Sequence, residues 1–254
     1  MQRLPVLLVS LLAACAGPRL EGSASSSIPQ PDGPLPASSA AEVPSSVLMV
    51  GNSFTFWNKG LWGPLEEGLR ARSAEATVRA CMRGGASLEV QWGREKVQRW
   101  ISSAEHEVVV LQGDIPEASV ASFEEHAGLL IALCREHGAE PVLLETWDYE
   151  RLAWCSLEEI VAAHERVASE HGVRVIPVGE AWGLARARRP ELDLYDRDDE
   201  HPNLRGSYLA LVLTHAVLTG ARGDALLPVP EVWSALAPED AAWLRTLADE
   251  VLRG

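Results

Sequence analysis

The sequence lacks several features that would point to particular classes of protein. No apolar run reaches the roughly 20 residues that a membrane-spanning helix needs. Four cysteines in 254 residues do not make the disulfide framework of a small secreted domain. Lysine and arginine total 22 against 36 aspartate and glutamate residues, and the net charge of −14 argues against binding to nucleic acid. What remains is a chain that is long enough for one sizeable globular domain with tails.

Motifs for metal and nucleotide cofactors are also lacking. The seven histidines are scattered along the chain, and none has the HExxH spacing of a zinc site. No phosphate-binding loop of the GxxxxGKS or GxxxxGKT type is present, which argues against a nucleotide-binding protein. We therefore expect chemistry that needs neither a cofactor nor a metal.

The first 44 residues predict an export signal and a tether. Arg3 and the apolar run Leu4–Leu12 lead into Ala-Ala-Cys, so residues 1–14 have the pattern of a secretory signal. The Leu-Ala-Ala-Cys that ends at Cys15 also resembles the bacterial lipobox, whose cysteine is acylated; the alternative is a plain signal peptide. Residues 15–44 are rich in Ser, Pro and Ala and predict a flexible linker. We expect an exported lipoprotein, periplasmic or at the cell surface, that is anchored to a membrane through Cys15.

Residues 45–254 predict a single α/β domain. Short apolar runs alternate with stretches of helical periodicity, which favours right-handed βαβ crossovers and a parallel sheet with helices on both faces. The predicted strands are 46–51, 76–82, 107–112, 141–146 and 173–178, and the predicted helices are 60–72, 88–102, 119–138, 156–171, 203–219 and 238–252. The sequence shows no internal repeat and no second domain.

The stretch Val47–Asn58 (VLMVGNSFTFWN) is the most informative part of this domain. Four apolar residues predict a buried parallel strand, Gly51 allows a sharp turn, and Ser53 follows at the strand's carboxyl end. Open α/β sheets bind their ligands at this edge, where backbone N–H groups lie in the positive field of the next helix. Ser53 is therefore a candidate nucleophile, although a lone serine at such a position more often only caps a helix or closes a turn.

Three further segments fall at the same predicted edge of the sheet. The second strand leads into Arg83–Glu89 (RGGASLE), whose glycines let backbone N–H groups approach a bound group closely. The third strand leads into Gln112–Asp114. Near the carboxyl terminus, Asp198 precedes His201 by three residues in a turn that Pro202 fixes. The carboxylate can hold Nδ1 of such a histidine and leave Nε2 free to act as a base.

Together these segments resemble the SGNH (GDSL-type) hydrolase superfamily, in particular its bacterial branch that opens with Gly-Asn-Ser-Phe-Thr. The resemblance extends over most of residues 46–220. It implies a flavodoxin-like three-layer α/β/α sandwich with a five-stranded parallel sheet in the order 2-1-3-4-5. It also implies a catalytic triad of Ser53, Asp198 and His201, and an oxyanion hole that includes the N–H groups of Ser53 and Gly85.

The activity that the resemblance implies is that of a serine esterase. An acylated carbohydrate or a small ester would transfer its acyl group to Ser53 and then to water, with His201 as the base. The O-deacetylation of a carbohydrate is one form of this reaction. The alternative is a non-catalytic carbohydrate-binding surface lipoprotein on the same scaffold. A departure from the superfamily pattern after the third strand, at Gly113–Ile115, favours this alternative.

The third motif departs from the superfamily pattern Gly-x-Asn-Asp, whose asparagine side chain donates to the oxyanion. Aligned on Gly113, the asparagine position falls on Ile115, which has no side-chain donor. Loss of one such donor costs about 10²–10³ in kcat. Asp114, when ionised, would repel a developing oxyanion, so the sequence points to Gln112 as the replacement donor. The alternative is that Gln112 only binds backbone at the strand end.

Three tryptophans and three cysteines of the domain also allow predictions. Trp57, Trp147 and Trp154 follow the first and fourth predicted strands, on the expected side of the active site, and are candidate substrate-lining residues. Ordinary packing within loops is the alternative reading of these tryptophans. The three cysteines of the domain should form no disulfide, because the implied strand order separates them beyond disulfide reach. They are Cys81, Cys134 and Cys155.

Overall fold

A computed structural model describes residues 43–152 and 154–254 of the chain. The predicted signal peptide, Cys15 and nearly all of the predicted linker lie outside the described residues, so the predictions made for them stay predictions. Among the helices of the described ranges, none combines the length and the apolar character that crossing a membrane requires.

The described chain forms a parallel sheet of five strands. These are β1 (Ser46–Gly51), β2 (Thr77–Met82), β3 (Val108–Gln112), β4 (Glu140–Leu144) and β5 (Arg174–Ile176). Their order in the sheet is β2-β1-β3-β4-β5, and every neighbouring pair is parallel. The predicted strand order is confirmed. Because the strands are parallel, all their carboxyl ends meet at one edge of the sheet.

Helices connect the strands and cover both faces of the sheet. They are α1 (Ser53–Phe56), α2 (Trp62–Arg70), α3 (Leu88–Trp92), α4 (Glu95–Ser102), α5 (Val120–Glu136), α6 (Leu157–His171), α7 (Val178–Arg188), α8 (Leu204–Thr219) and α9 (Pro238–Val251). Short 3₁₀ turns lie at Trp57–Lys59, Gly223–Ala225 and Glu231–Trp233.

Alternate residues of each strand enter two separate apolar layers, as the period of a β-strand requires. In β1, Val47 and Met49 face the layer built from α2, α7, α8 and α9. Leu48 and Val50 face the opposite layer, which is built from α3, α4, α5 and α6. All four side chains are buried, which explains why the strand is a continuous apolar run without polar alternation. The architecture is the predicted three-layer sandwich.

One predicted helix and one predicted strand differ from the expectation, and α7 was not predicted. The predicted helix 88–102 is divided into α3 and α4, because Gly93 ends the first helix before the second begins. The predicted strand 173–178 stops at Ile176, and α7 follows after Pro177. Two glycines in α7 weaken its intrinsic helical signal, and its stability comes instead from burial of side chains such as Trp182.

Candidate active site

The nucleophile turn, residues 51–56, follows β1 directly. Asn52 caps α1 by accepting a hydrogen bond from the Phe54 N–H at 3.0 Å. Gly51 is required by close approach, since a Cβ there would lie 2.5 Å from Oε1 of Gln112 and 3.0 Å from Oγ1 of Thr55. Ser53 is 8% exposed, and its hydroxyl makes no hydrogen bond to any described residue. The turn therefore presents a serine whose Oγ is not committed to another group.

The base loop, residues 195–202, carries the predicted acid and base. Oδ2 of Asp198 lies 2.7 Å from Nδ1 of His201, and Oδ1 of Asp198 accepts the backbone N–H of His201 at 2.9 Å. Partial burial acts to raise the pKa of Asp198, but its hydrogen bonds and the charge of His201 outweigh burial and lower that pKa. The carboxylate therefore stays ionised. Because it binds Nδ1, the second ring nitrogen, Nε2, is left available to accept a proton.

Side chains just after Ser53 hold the nucleophile turn against the base loop. The ring of Trp57 stacks on the imidazole of His201, with centroids 4.0 Å apart and planes 19° apart. The indole N–H of Trp57 donates to Oδ2 of Asp196 at 2.9 Å, and Asn58 donates to the Pro202 carbonyl at 2.8 Å. The structure thus places His201 beside the segment that carries Ser53.

The serine and the imidazole do not form a hydrogen bond in this structure. The carboxylate near Nε2 of His201 belongs to Glu200, whose Oε1 lies 4.0 Å away. Catalytic hydrogen bonds are often long or poorly aligned without substrate and tighten in the complex. The arrangement brings a serine, an imidazole and a carboxylate into neighbouring segments, where they could act as a nucleophile, a base and an orienting acid.

Two backbone N–H groups are available for an oxyanion. Within the described ranges, neither the N–H of Ser53 nor that of Gly85 donates to another protein group. Gly85 has φ of +60°, in the left-handed region where a residue with a side chain is strained, and it is exposed. Glycine at this position therefore allows the backbone turn that follows β2.

The prediction that Gln112 donates to the oxyanion is wrong. Its Oε1 accepts the Asn52 backbone N–H at 2.7 Å, and its Nε2 donates to the Gly113 carbonyl. The two partners fix the orientation of the amide, because the reversed amide would place donor against donor and acceptor against acceptor. Gln112 is 1% exposed. Its amide is buried against the backbone at the end of β3 and supports the nucleophile turn.

The polar side chain that faces the nucleophile turn after β3 is Asp114, and Ile115 instead packs in the α3–α6 layer. Oδ1 of Asp114 accepts the hydroxyl of Tyr149 at 2.8 Å, and Oδ2 accepts the side-chain N–H of Asn52. Burial raises the pKa of Asp114 to about 7, against the lowering effect of these two hydrogen bonds. Sequence reasoning gave Asp114 no role and missed Tyr149. The available signal was an acidic residue two positions after the end of a buried strand.

The three candidate tryptophans have different environments. Trp147 is fully buried, stacked on Phe54 at 4.6 Å and on Trp182 at 4.0 Å, so the prediction that it lines the substrate site is wrong. It forms the apolar floor under the nucleophile turn. Trp57 is partly buried with one face on His201. Trp154 is 53% exposed in the β4–α6 connection.

Other predicted features concern metals and disulfides. The described ranges contain no group of three or more His, Cys, Asp or Glu side chains that could hold a metal ion. Cys81, Cys134 and Cys155 are free and buried. Burial raises the pKa of the Cys134 thiol to about 12 and that of the Cys155 thiol to about 11, so neither is a reactive thiolate near neutral pH.

No protein-family model matches the chain, and no curated protein matches it. Among solved structures, a provisionally assigned SGNH hydrolase from Slackia heliotrinireducens is 26% identical and has a TM-score of 0.57, over 69% of this chain and 98% of that one. A DUF4886 family protein from Bacteroides uniformis is 19% identical with a TM-score of 0.61, over 82% and 94% of the two chains. The acetylxylan esterase Axe2 from Geobacillus stearothermophilus is 14% identical with a TM-score of 0.53, over 69% and 94%.

These likenesses define the class of the fold. The five-stranded parallel sheet in the order 2-1-3-4-5, flanked by helices, is the SGNH-hydrolase fold. Structural neighbours of the chain are SGNH and GDSL-type hydrolases, several of which are esterases. The resemblance seen in the sequence motifs and the likeness in structure therefore point to the same superfamily.

Proposed function

We propose that the protein is a serine esterase whose nucleophile is Ser53. The observation that carries the proposal is the 2.7 Å contact between Asp198 and His201, in a loop that Trp57 joins to the nucleophile turn. An uncommitted serine hydroxyl lies in that turn. This combination supplies a nucleophile, a base and an orienting acid, and it explains the paired motifs at opposite ends of the domain.

The proposed reaction has two acyl-transfer steps. His201 Nε2 takes the proton of Ser53 as Oγ attacks the ester carbonyl, and then gives it to the leaving alcohol. Asp198 stabilises the imidazolium that forms between these events. The N–H groups of Ser53 and Gly85 bind the oxyanion of each tetrahedral intermediate. Water, activated by His201, releases the acyl group and restores the free serine.

We further propose a short acyl group, as in the O-deacetylation of a carbohydrate. Phe54, Trp147 and Tyr149 are each no more than 1% exposed and pack against one another next to Ser53, which favours a short acyl group over a long one. The exposed Trp154 offers an aromatic face of the kind that sugars stack on. Acetylxylan esterases among the structural neighbours support this substrate class.

The test is hydrolysis of p-nitrophenyl acetate and of longer p-nitrophenyl esters by the purified domain. Ser53→Ala should abolish turnover, whereas Ser102→Ala, at the end of α4 near the opposite edge of the sheet, should leave it unchanged. Acetate should be preferred over octanoate by tenfold or more. Full activity of folded Ser53→Ala would contradict the nucleophile, and a preference for octanoate would contradict the short-acyl substrate.

We also propose that the exported protein is held at a membrane through a lipid on Cys15. The support is the Leu-Ala-Ala-Cys sequence that follows an apolar run. A single acyl chain binds membranes weakly and several bind firmly, so the processed protein should partition with membranes. Membrane fractionation and intact mass should both change in Cys15→Ser. Unchanged fractionation and mass would exclude the lipid.

A further inference from the structure

Asp114 lies in a continuous chain of hydrogen bonds that ends at the nucleophile turn. Tyr149 donates its hydroxyl to Oδ1 of Asp114 at 2.8 Å, and Asn52 donates its side-chain N–H to Oδ2. The other end of the Asn52 amide accepts the Phe54 N–H at 3.0 Å. The three side chains are each at most 2% exposed. The carboxyl of Asp114 therefore orients the amide that caps α1, immediately beside Ser53.

The surroundings of Asp114 disfavour a negative charge. Within the described ranges no cation forms an ion pair with it. Glu117 and Glu200 both raise its pKa, and Arg151, whose guanidinium lies 5.1 Å from the centre of the Tyr149 ring, is paired with Glu200. Burial, with smaller effects of Glu159, Asp148 and Asp114, raises the pKa of the Cys155 thiol, which therefore carries no charge near neutral pH. Burial is the largest effect, and the pKa of Asp114 is about 7 in consequence.

We propose that Asp114 is a positioning residue for the nucleophile turn and that the enzyme works with this carboxyl protonated. The inference rests on the proposed esterase function. A neutral Asp114 can donate its O–H to the Tyr149 oxygen while Oδ2 still accepts from Asn52, so the cap of α1 is kept. Loss of the proton preserves these contacts but places a negative charge on the group that holds the Asn52 side chain, next to the turn where the oxyanion develops.

The consequence is a loss of activity as the pH rises through about 7. A general base alone gives a rate that rises with pH and then stays level. Ionised Asp114 opposes the oxyanion, and a like charge buried near the site slows the reaction by about tenfold or more. The profile of kcat/KM against pH should therefore be a bell whose alkaline limb belongs to Asp114.

An exchange of the two side chains tests the positioning role. Asp114→Asn mimics the neutral carboxyl, with its N–H on the Tyr149 oxygen and its carbonyl oxygen on the Asn52 N–H, so it should keep kcat within about threefold of wild type. Asn52→Asp sets carboxyl oxygens against each other and should lower kcat by about 10- to 100-fold. The double variant Asn52→Asp/Asp114→Asn restores a donor facing an acceptor, and it should recover at least tenfold over Asn52→Asp. A large loss in Asp114→Asn, or no recovery in the double variant, would overturn the proposal.

The alkaline limb of the kcat/KM profile tests whether Asp114 is the group that loses its proton. Tyr149→Phe removes a hydrogen bond that lowers the pKa of Asp114, so the limb should move to higher pH. Tyr208→Phe is the matched control, because Tyr208 is equally buried but donates to the Leu227 carbonyl in another part of the domain. The limb should be absent in Asp114→Asn. An unchanged limb in Asp114→Asn, or in Tyr149→Phe, would contradict the assignment.

Two measurements separate this inference from the proposed function. Carbon-13 NMR of labelled aspartate carboxyls should show a resonance that titrates near pH 7, is absent in Asp114→Asn and moves upward in Tyr149→Phe. The rate at which an alkyl fluorophosphonate labels Ser53 should show the same alkaline limb without any ester substrate. If labelling and NMR behave so but no ester is hydrolysed, the substrate proposal fails and the role of Asp114 stands. A carboxyl that titrates below pH 5 overturns the role of Asp114 even in an active esterase.

Discussion

The nucleophile turn and the base loop are held in different ways. The turn is buried, and side chains from distant segments bind its polar groups: Gln91 holds the Gly51 carbonyl, Gln112 holds the Asn52 N–H and Asp114 holds the Asn52 side chain. The base loop is partly exposed, and its acid–base pair is closed by hydrogen bonds within four residues. Substitutions in the turn's supports should therefore cost stability, whereas those in the base loop should cost activity alone.

The largest expected effect is that of His201→Ala in the base loop. Removal of a triad base lowers kcat by roughly 10³–10⁶, and the loss of a partly exposed side chain should change the free energy of unfolding by less than about 1 kcal/mol. Hydrolysis of p-nitrophenyl acetate and urea unfolding measure the two quantities. His137→Ala, at the end of α5, is the control and should leave kcat unchanged. A kcat within tenfold of wild type would exclude His201 as the base.

Asp198→Asn should have the next largest effect. The amide can still meet Nδ1 but favours the wrong tautomer of the imidazole, and the corresponding change in a known triad costs about 10⁴ in kcat. Asp199→Asn is a matched control, because Asp199 is an exposed neighbour with φ of +57°, a conformation that asparagine tolerates. Equal rates in the two variants would show that Asp198 does not orient the base.

Gln112→Ala tests the prediction that the side chains supporting the nucleophile turn contribute mainly to stability. It leaves the buried Asn52 N–H and the Gly113 carbonyl without partners, and we expect a loss of about 1–3 kcal/mol in the free energy of unfolding. Gln98→Ala, which removes an amide bonded to Trp92 near the surface, should cost less. A stable Gln112→Ala with kcat lowered by about 10²–10³ would restore the oxyanion role that the structure contradicts.

The same comparison explains what the sequence could and could not predict. Asp198 and His201 contact each other within one turn, so a local spacing rule could predict that pair. The strand order followed from the resemblance to the superfamily, and Ser53 became a candidate through a turn after a buried run taken together with that resemblance. The supports of the nucleophile turn join residues about 60 positions apart, as in the pair Asn52 and Gln112, and no spacing rule reaches that far. The inward direction of Asp114, rather than of Ile115, depends on how β3 ends against α3 and α5.

Trp57 lies between the two regions and should give the smallest effect. Trp57→Phe keeps an aromatic ring for His201 but loses the hydrogen bond to Asp196, so the base loop becomes less firmly placed. We expect kcat to fall about 3- to 10-fold with little change in KM, since one hydrogen bond to a charged group is lost.

The split between kcat and KM decides what Trp57 does. Trp57→Leu removes the stacked ring as well and should lower kcat further, whereas Trp243→Phe, in α9 against Arg189, should change neither constant. A rise in KM at constant kcat would instead assign Trp57 to substrate binding, as the sequence predicted. The structure favours the first outcome, because one face of the indole is already occupied by His201 and its N–H by Asp196. Trp57 would then position His201, which its own loop holds, against the nucleophile turn, which buried side chains hold.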